Sequence, residues 1–203
     1  MKLLVDTDAF CKLGVAGLLQ DALEALGVRV DECGRLPALT PMLRRGRLAK
    51  VYGAKSCERL SRLATTMSAI PESPGEWLDR LTPIVDVDPG EALLFAAAAP
   101  GAQTVVTGDK RALRALKDVP GFDAAMGGRI VVLEALLIQL CDRLGVEEVR
   151  NRVQPLMETD KTTLVCFSAA ETDPRGALDS YFRALISEVH PLTLWKPPER
   201  GAP

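Results

Sequence analysis

The chain has 203 residues, 47% of them apolar, enough to bury a substantial core in one domain or in one domain with an appendage. Its 25 Lys and Arg against 27 Asp and Glu leave a formal net charge of −2, which excludes a global basic field, so any contact with RNA or DNA has to use a local patch. No apolar run approaches the roughly 18 residues of a membrane span, and Met1-Lys2-Leu3-Leu4-Val5 meets Asp6 too soon for a signal-peptide core.

Cys11, Cys33, Cys57, Cys141 and Cys166 are scattered without a Cys-x-x-Cys pair, which argues against a zinc knuckle and against a disulfide framework. The expectation is a cytoplasmic protein with reduced core thiols and no membrane partner.

In chain order, the apolar run 3–5 suits a buried strand. Residues 9–26 carry helical spacing through Leu13, Val15, Leu18, Leu19, Ala22, Leu23 and Leu26, with Gly27 as the stop. Residues 28–30 read as a weak second strand. Residues 41–51, with Thr40 as N-cap, and 54–70 read as two helices separated around Gly53. Pro71, Pro74 and Gly75 make a turn-rich break.

Residues 83–87 read as another strand leading into a helix over 91–99, which Pro100-Gly101 ends. A strand at 104–106, a helix at 110–117 and a strand at 130–132 follow. Strands alternating with helices predict an α/β protein, a three-layer α/β/α sandwich with a central parallel sheet, because parallel neighbours need crossover connections.

From residue 133 strand signals fade, and helices are expected over 133–144, 146–158 and 170–188, with a loop over 159–163. The division expected is 1–132 for the α/β domain and 133–203 for a helical C-terminal extension, whose end at Gly201-Ala202-Pro203 reads as a frayed tail.

Three acidic turns carry the functional argument: Val5-Asp6-Thr7-Asp8, Asp88-Pro89-Gly90-Glu91 and Thr107-Gly108-Asp109. Each follows an apolar run and opens a helical pattern, so in a parallel sheet all three lie beyond the carboxyl ends of the strands, where ligands bind. Two carboxylates about 5 Å apart repel by roughly 3 kcal/mol at an effective dielectric near 20, so a cluster of them takes up protons or a cation. With one His and no paired Cys, oxygen ligands point to Mg²⁺ or Mn²⁺ holding phosphate. Each turn taken alone is also a helix cap: Asp88 and Glu91 form a capping-box pattern around Pro89, and Asp109 precedes Lys110-Arg111-Ala112. Capping does not account for Asp6 so directly.

These three motifs, in this order and spacing, resemble those of PIN-domain nucleases over about residues 1–132. The resemblance implies a compact α/β/α endoribonuclease that cuts RNA with acids and Mg²⁺ or Mn²⁺. Many members are toxins of toxin–antitoxin pairs, so it also implies an antitoxin protein partner, and homodimerisation. Carried over residue by residue, Asp6, Glu91 and Asp109 are the catalytic acids and metal ligands, with Asp88 a further ligand, Asp8 a helper, and Thr107 a helper that orients water.

The sequence departs from the family in one place: Thr40-Pro41-Met42-Leu43-Arg44-Arg45 offers no acid on the helix after the second strand. Arg44 or Arg45 facing the site would give a PIN-like RNA-binding or regulatory module without cleavage, whereas Asp8 or Asp31 filling the place would keep the site complete. Residues 133–203 lie outside the family pattern.

Two further readings compete. Asp6-x-Asp8 and Gly108-Asp109 resemble parts of haloacid-dehalogenase-like phosphatases, with Asp6 as the phosphorylated group, but that likeness gives Asp88 and Glu91 no task. A local basic stretch, Arg44, Arg45, Arg47, Lys50, Lys55, Arg59 and Arg62 opposed only by Glu58, reads either as RNA-binding or as solvated helix faces. Lys110, Arg111 and Arg114 near Asp109 offer the same two choices. His190, Trp77 and Trp195 read as structural residues, and the stripe from Leu133 to Cys141 as core or an oligomer contact.

Overall fold

The computed structural model describes residues 1–71, 75–168 and 173–198. It is an α/β protein in which the described residues form five strands, all parallel, in the order β3-β2-β1-β4-β5. The strands are β1 (Leu3–Val5), β2 (Cys33–Arg35), β3 (Ser68–Ala69), β4 (Thr104–Thr107) and β5 (Ile130–Val132). β1, at the centre, pairs Leu3 with Cys33 on one side and with Thr104 on the other. The apolar triplets of β1 and β5 are wholly buried, as expected for strands covered on both faces.

Helices follow the strands as crossovers. After β1 come α1 (Thr7–Val15) and α2 (Leu19–Ala25); residues 9–26 are not one helix because Gly17 turns the chain at φ +68°, a conformation costly for other residues. After β2 come α3 (Leu39–Arg44), α4 (Arg47–Tyr52) and α5 (Ala54–Thr66). Thr40 lies inside α3 rather than capping it. α6 (Glu76–Leu81) and α7 (Pro89–Ala98) lead to β4, and α8 (Lys110–Leu116) and α9 (Phe122–Met126) to β5.

Two expected strands are absent. Val28 N–H donates to Leu23 O, closing α2, and a short 3₁₀ turn over Val30–Glu32 precedes the true second strand. Residues 83–87 form turns in which Val87 N–H donates to Ile84 O and Val85 is 97% exposed; Pro83 has no N–H for a ladder, and β4 takes the place beside β1. The helix expected to reach residue 70 stops at Thr66, and β3 follows it.

Beyond β5 run α10 (Leu133–Leu144), α11 (Val146–Val153), α12 (Lys161–Phe167) and α13 (Pro174–Val189). The expected loop over 159–163 is therefore mostly the start of α12. The expected helix start at Ala170, the tail residues 201–203 and Pro74 lie outside the described residues.

Leu136, Val149, Phe167 and Leu185 of these later helices belong to the same buried cluster as the strands. The stripe from Leu133 to Cys141 is buried within it, Gln139 excepted. Trp195 N–H donates to Ile130 O at 2.9 Å, bringing the described C-terminal residues back to the start of β5. Trp77 packs edge-on against Phe122, and all five cysteines are buried. Among the described residues no helix is long and apolar enough to cross a membrane.

Candidate functional site

β1 and β4 are neighbours, so the residues that follow them emerge side by side. Asp6 N–H continues the ladder by donating to Val106 O at 2.9 Å. Its carboxylate caps α1, with Oδ2 accepting from Asp8 N–H at 3.2 Å. At the end of β4, Asp109 caps α8 by accepting from the N–H groups of Arg111 and Ala112 at 2.7 and 3.1 Å. Thr107 Oγ1 accepts the Asp109 N–H at 3.1 Å; that hydroxyl shapes the turn and is not part of the cleft lining.

α7 brings the third pair. Asp88 Oδ1 accepts from Glu91 N–H and Glu91 Oε2 accepts from Asp88 N–H, both at 2.8 Å, a reciprocal capping box with Pro89 in the first turn. Glu91 and Asp6 are buried at 5% and 7% exposure.

The result is an open cleft of about 820 Å³ at the carboxyl edge of the sheet, lined by Asp6, Asp8, Asp88, Glu91 and Asp109 together. Lys12, Arg47, Lys110 and Arg111 bring positive charge to the same walls, and Leu36, Met42, Leu48 and Tyr52 supply apolar surface. Gly108 lets the β4–α8 turn pass close to Asp8: a Cβ there would stand 2.7 Å from Asp8 Oδ2.

Crowding shows in the electrostatics. Burial pushes the Asp6 carboxyl up to about 6, helped by the charges of Asp8 and Asp88 and resisted by the N–H groups of Thr7 and Asp8. Burial also pushes Glu91 up to about 8, against the Asp88 N–H and with the charges of Asp109, Asp88 and Asp6. Asp109 goes the other way: burial would raise it, but the N–H groups of Ala112 and Arg111 and the Arg111 guanidinium bring it below its ordinary value. Burial first, and the neighbouring carboxylates after it, favour a protonated Glu91 at neutral pH.

Carboxylate oxygens are the donors that Mg²⁺ and Mn²⁺ take, and a cation placed among Asp6, Asp88 and Glu91 would favour their ionised forms. The capping bonds engage Oδ2 of Asp6, Oδ1 of Asp88 and Oε2 of Glu91, leaving the other oxygen of Asp88 and of Glu91 without a protein hydrogen bond among the described residues. Still, among the described residues no three His, Cys, Asp or Glu side chains are grouped closely enough to hold a metal ion as they stand. The residues thus fit such an ion by donor type and charge, and closing around it requires side-chain movement.

The basic residues divide. Arg47, Lys110 and Arg111 reach the cleft, whereas Arg44, Arg45 and Lys50 do not line it. Arg44 Nε donates to Ser61 Oγ at 3.4 Å and lines a separate hollow with Cys57 and Glu58, and Arg45 does not line the cleft either, so neither arginine whose guanidinium would neutralise the acids faces the site. Asp31 pairs with Arg29 elsewhere; Asp8 is the additional acid in the cleft. Arg114 pairs with Glu188, and His190 is exposed outside the cleft.

Sequence reasoning missed Lys12 and Asp160. Lys12 Nζ lies 2.7 Å from Asp8 Oδ2 and 2.6 Å from Asp160 Oδ2, with the side chains of Lys12 and Asp160 each 12% exposed. Asp160 also caps α12 through Thr163 N–H at 2.7 Å. The Asp8–Lys12 spacing of four residues is readable as a helical ion pair. Nothing local marks Asp160 as its partner.

Compared with protein-family models, with curated proteins and with solved structures, the chain gives no match in any of the three.

Proposed function

We propose that the chain is a PIN-like, metal-dependent endoribonuclease, a three-layer α/β/α protein that cleaves RNA phosphodiester bonds by hydrolysis. The observation that carries this reading is the meeting of Asp6, Asp88, Glu91 and Asp109, from three separate turns, in one cleft at the carboxyl edge of a parallel sheet. The raised affinities of Asp6 and Glu91 for protons support a place for added positive charge. Asp6, Asp88, Glu91 and Asp109 are the residues that would hold Mg²⁺ or Mn²⁺. When bound, the ion would neutralise the phosphate and lower the pKa of an attacking water.

The chain's own contribution is placement. The first-turn N–H groups of α1, α7 and α8 hold Asp6, Asp88 and Asp109 in place as caps. Arg47 and Arg111 add positive charge along the path of an RNA backbone. RNA is the partner on this reading; a toxin role, with an antitoxin protein and a second copy of the chain as partners, is the extension that the family likeness implies.

A second reading, a PIN-like RNA-binding module without cleavage, is favoured by one observation: the acids act as helix caps and do not close around a point. Incubation of purified protein with mixed single-stranded RNA and Mn²⁺, beside an Asp6→Asn control, separates the two. The nuclease reading expects cleavage by the parent and at least about a 100-fold loss in the variant. Binding without cleavage would favour the module, and equal cleavage in both proteins would overturn the assignment of Asp6.

A further inference from the structure

We infer that Lys12 is the cleft cation that contacts the RNA phosphate, and that Asp160, from the C-terminal helical segment, is its positioning residue; this assignment deepens and rests on the RNA-directed reading above. Four cations line the cleft, and their surroundings differ. Arg111 pairs with Asp109 and is 76% exposed. Lys110 is drawn to the buried Glu134 of α10, donates to Thr162 Oγ1 at 3.2 Å and lies 5.8 Å from the centre of the Tyr181 ring. Arg47 stands on the exposed side of α4.

Lys12 alone among the four is both largely buried and held on two sides by carboxylates, Asp8 and Asp160. An ammonium carries three N–H donors in a roughly tetrahedral spread. Two are directed at those carboxylates, which leaves one for the cleft that Lys12 lines. Fixing a lysine beforehand removes most of the side-chain ordering that a phosphate contact otherwise costs.

The placement also divides labour among the acids. Asp8 shares the single Lys12 ammonium with Asp160, whereas Asp6 and Glu91 are held by backbone N–H groups at the helix starts. Asp160 is the link by which the segment after residue 133 enters the site: it orients Lys12 from outside the cleft while capping α12.

The test is equilibrium binding of a single-stranded oligouridine RNA, followed by anisotropy across a salt series without divalent ion, so that the RNA stays intact. Removing Lys12 alone would orphan the buried Asp160 carboxylate and endanger folding. The main variant is therefore Lys12→Met combined with Asp160→Asn, with melting curves to certify the fold, and Lys12→Arg and Asp160→Asn serve as single controls. The double variant should bind about tenfold more weakly, and its log K against log salt slope should fall by about 0.7, the loss of one phosphate contact on a single strand. Asp160→Asn should weaken binding by less, and Lys12→Arg should retain the parent slope.

A folded double variant with the parent's affinity and slope would overturn the assignment, as would a parent that fails to bind. The cleavage reading is judged separately, by the Asp6→Asn assay in Mn²⁺, so the two failures are distinguishable.

Discussion

Replacing Glu91 with Gln is expected to lower Mn²⁺-dependent RNA cleavage by about 100-fold or more while making the metal-free protein more stable at alkaline pH. The sign follows from the direction of the shift. Glu91 rises from an ordinary 4.5 to about 8 in the fold, so between those values the unfolded chain has released a proton that the folded chain still holds. Stability of the parent therefore falls as pH rises through that window and stays low above it.

The amide introduced by Glu91→Gln would remain neutral, and its oxygen could still accept the Asp88 N–H. At about 1.4 kcal/mol for each tenfold change in proton affinity, the gain above pH 8 is on the order of a few kcal/mol, shared with the neighbouring acids rather than belonging to Glu91 alone. Denaturant titrations at several pH values check this. A residual slope between Asp6's ordinary 3.8 and about 6 should survive in the variant, and a variant less stable than the parent at pH 9 would contradict the account.

The second large effect concerns the helix that carries Glu91. Phe95, one turn further along α7, is fully buried and meets Phe122 edge-on at 5.6 Å between ring centres. Phe122 in turn meets Trp77 at 5.8 Å. Phe95→Ala should cost about 3–5 kcal/mol, because the lost apolar burial is joined by a cavity that the surrounding side chains only partly fill. Urea unfolding measures it directly. Cleavage by the molecules still folded should fall as well, since the first turn of α7 would be less firmly set against β4. A loss below about 1 kcal/mol would mean that α7 is not anchored through this aromatic cluster.

How much of this was legible in the sequence depended on local contrast. β1, β4 and β5 are apolar runs bounded by polar turns, and a central parallel strand reads that way. β2 does not: Cys33-Gly34-Arg35 contains no large apolar side chain, and its strand character comes from pairing with β1. β3 is two exposed residues paired with β2 at the sheet's edge, with no periodicity to read. Ile84, Val85 and Val87 offered the opposite trap, a β-rich composition in a segment that folds into turns.

The acids were legible because each follows a strand or opens a helix, so topology alone carries them to one edge. The Lys12–Asp160 bridge was not, because its partners are joined only where the start of α12 comes beside α1. The basic stretch was legible as composition, but which of its members reach the cleft depends on the break between α3 and α4 at Gly46, where φ is +105°. Beyond that break Arg47 lines the cleft, whereas Arg44 before it lies on Ser61.

The most direct measurement of the central claim is calorimetric titration of the metal-free protein with Mn²⁺ near pH 7 in buffers of different ionisation enthalpy. The account expects saturable binding with proton release, because a Glu91 whose affinity for protons is raised to about 8 must lose its proton to serve as a ligand, and it expects that binding to be lost in Asp6→Asn. No saturable heat in the parent, or the same heat in parent and variant, would contradict it.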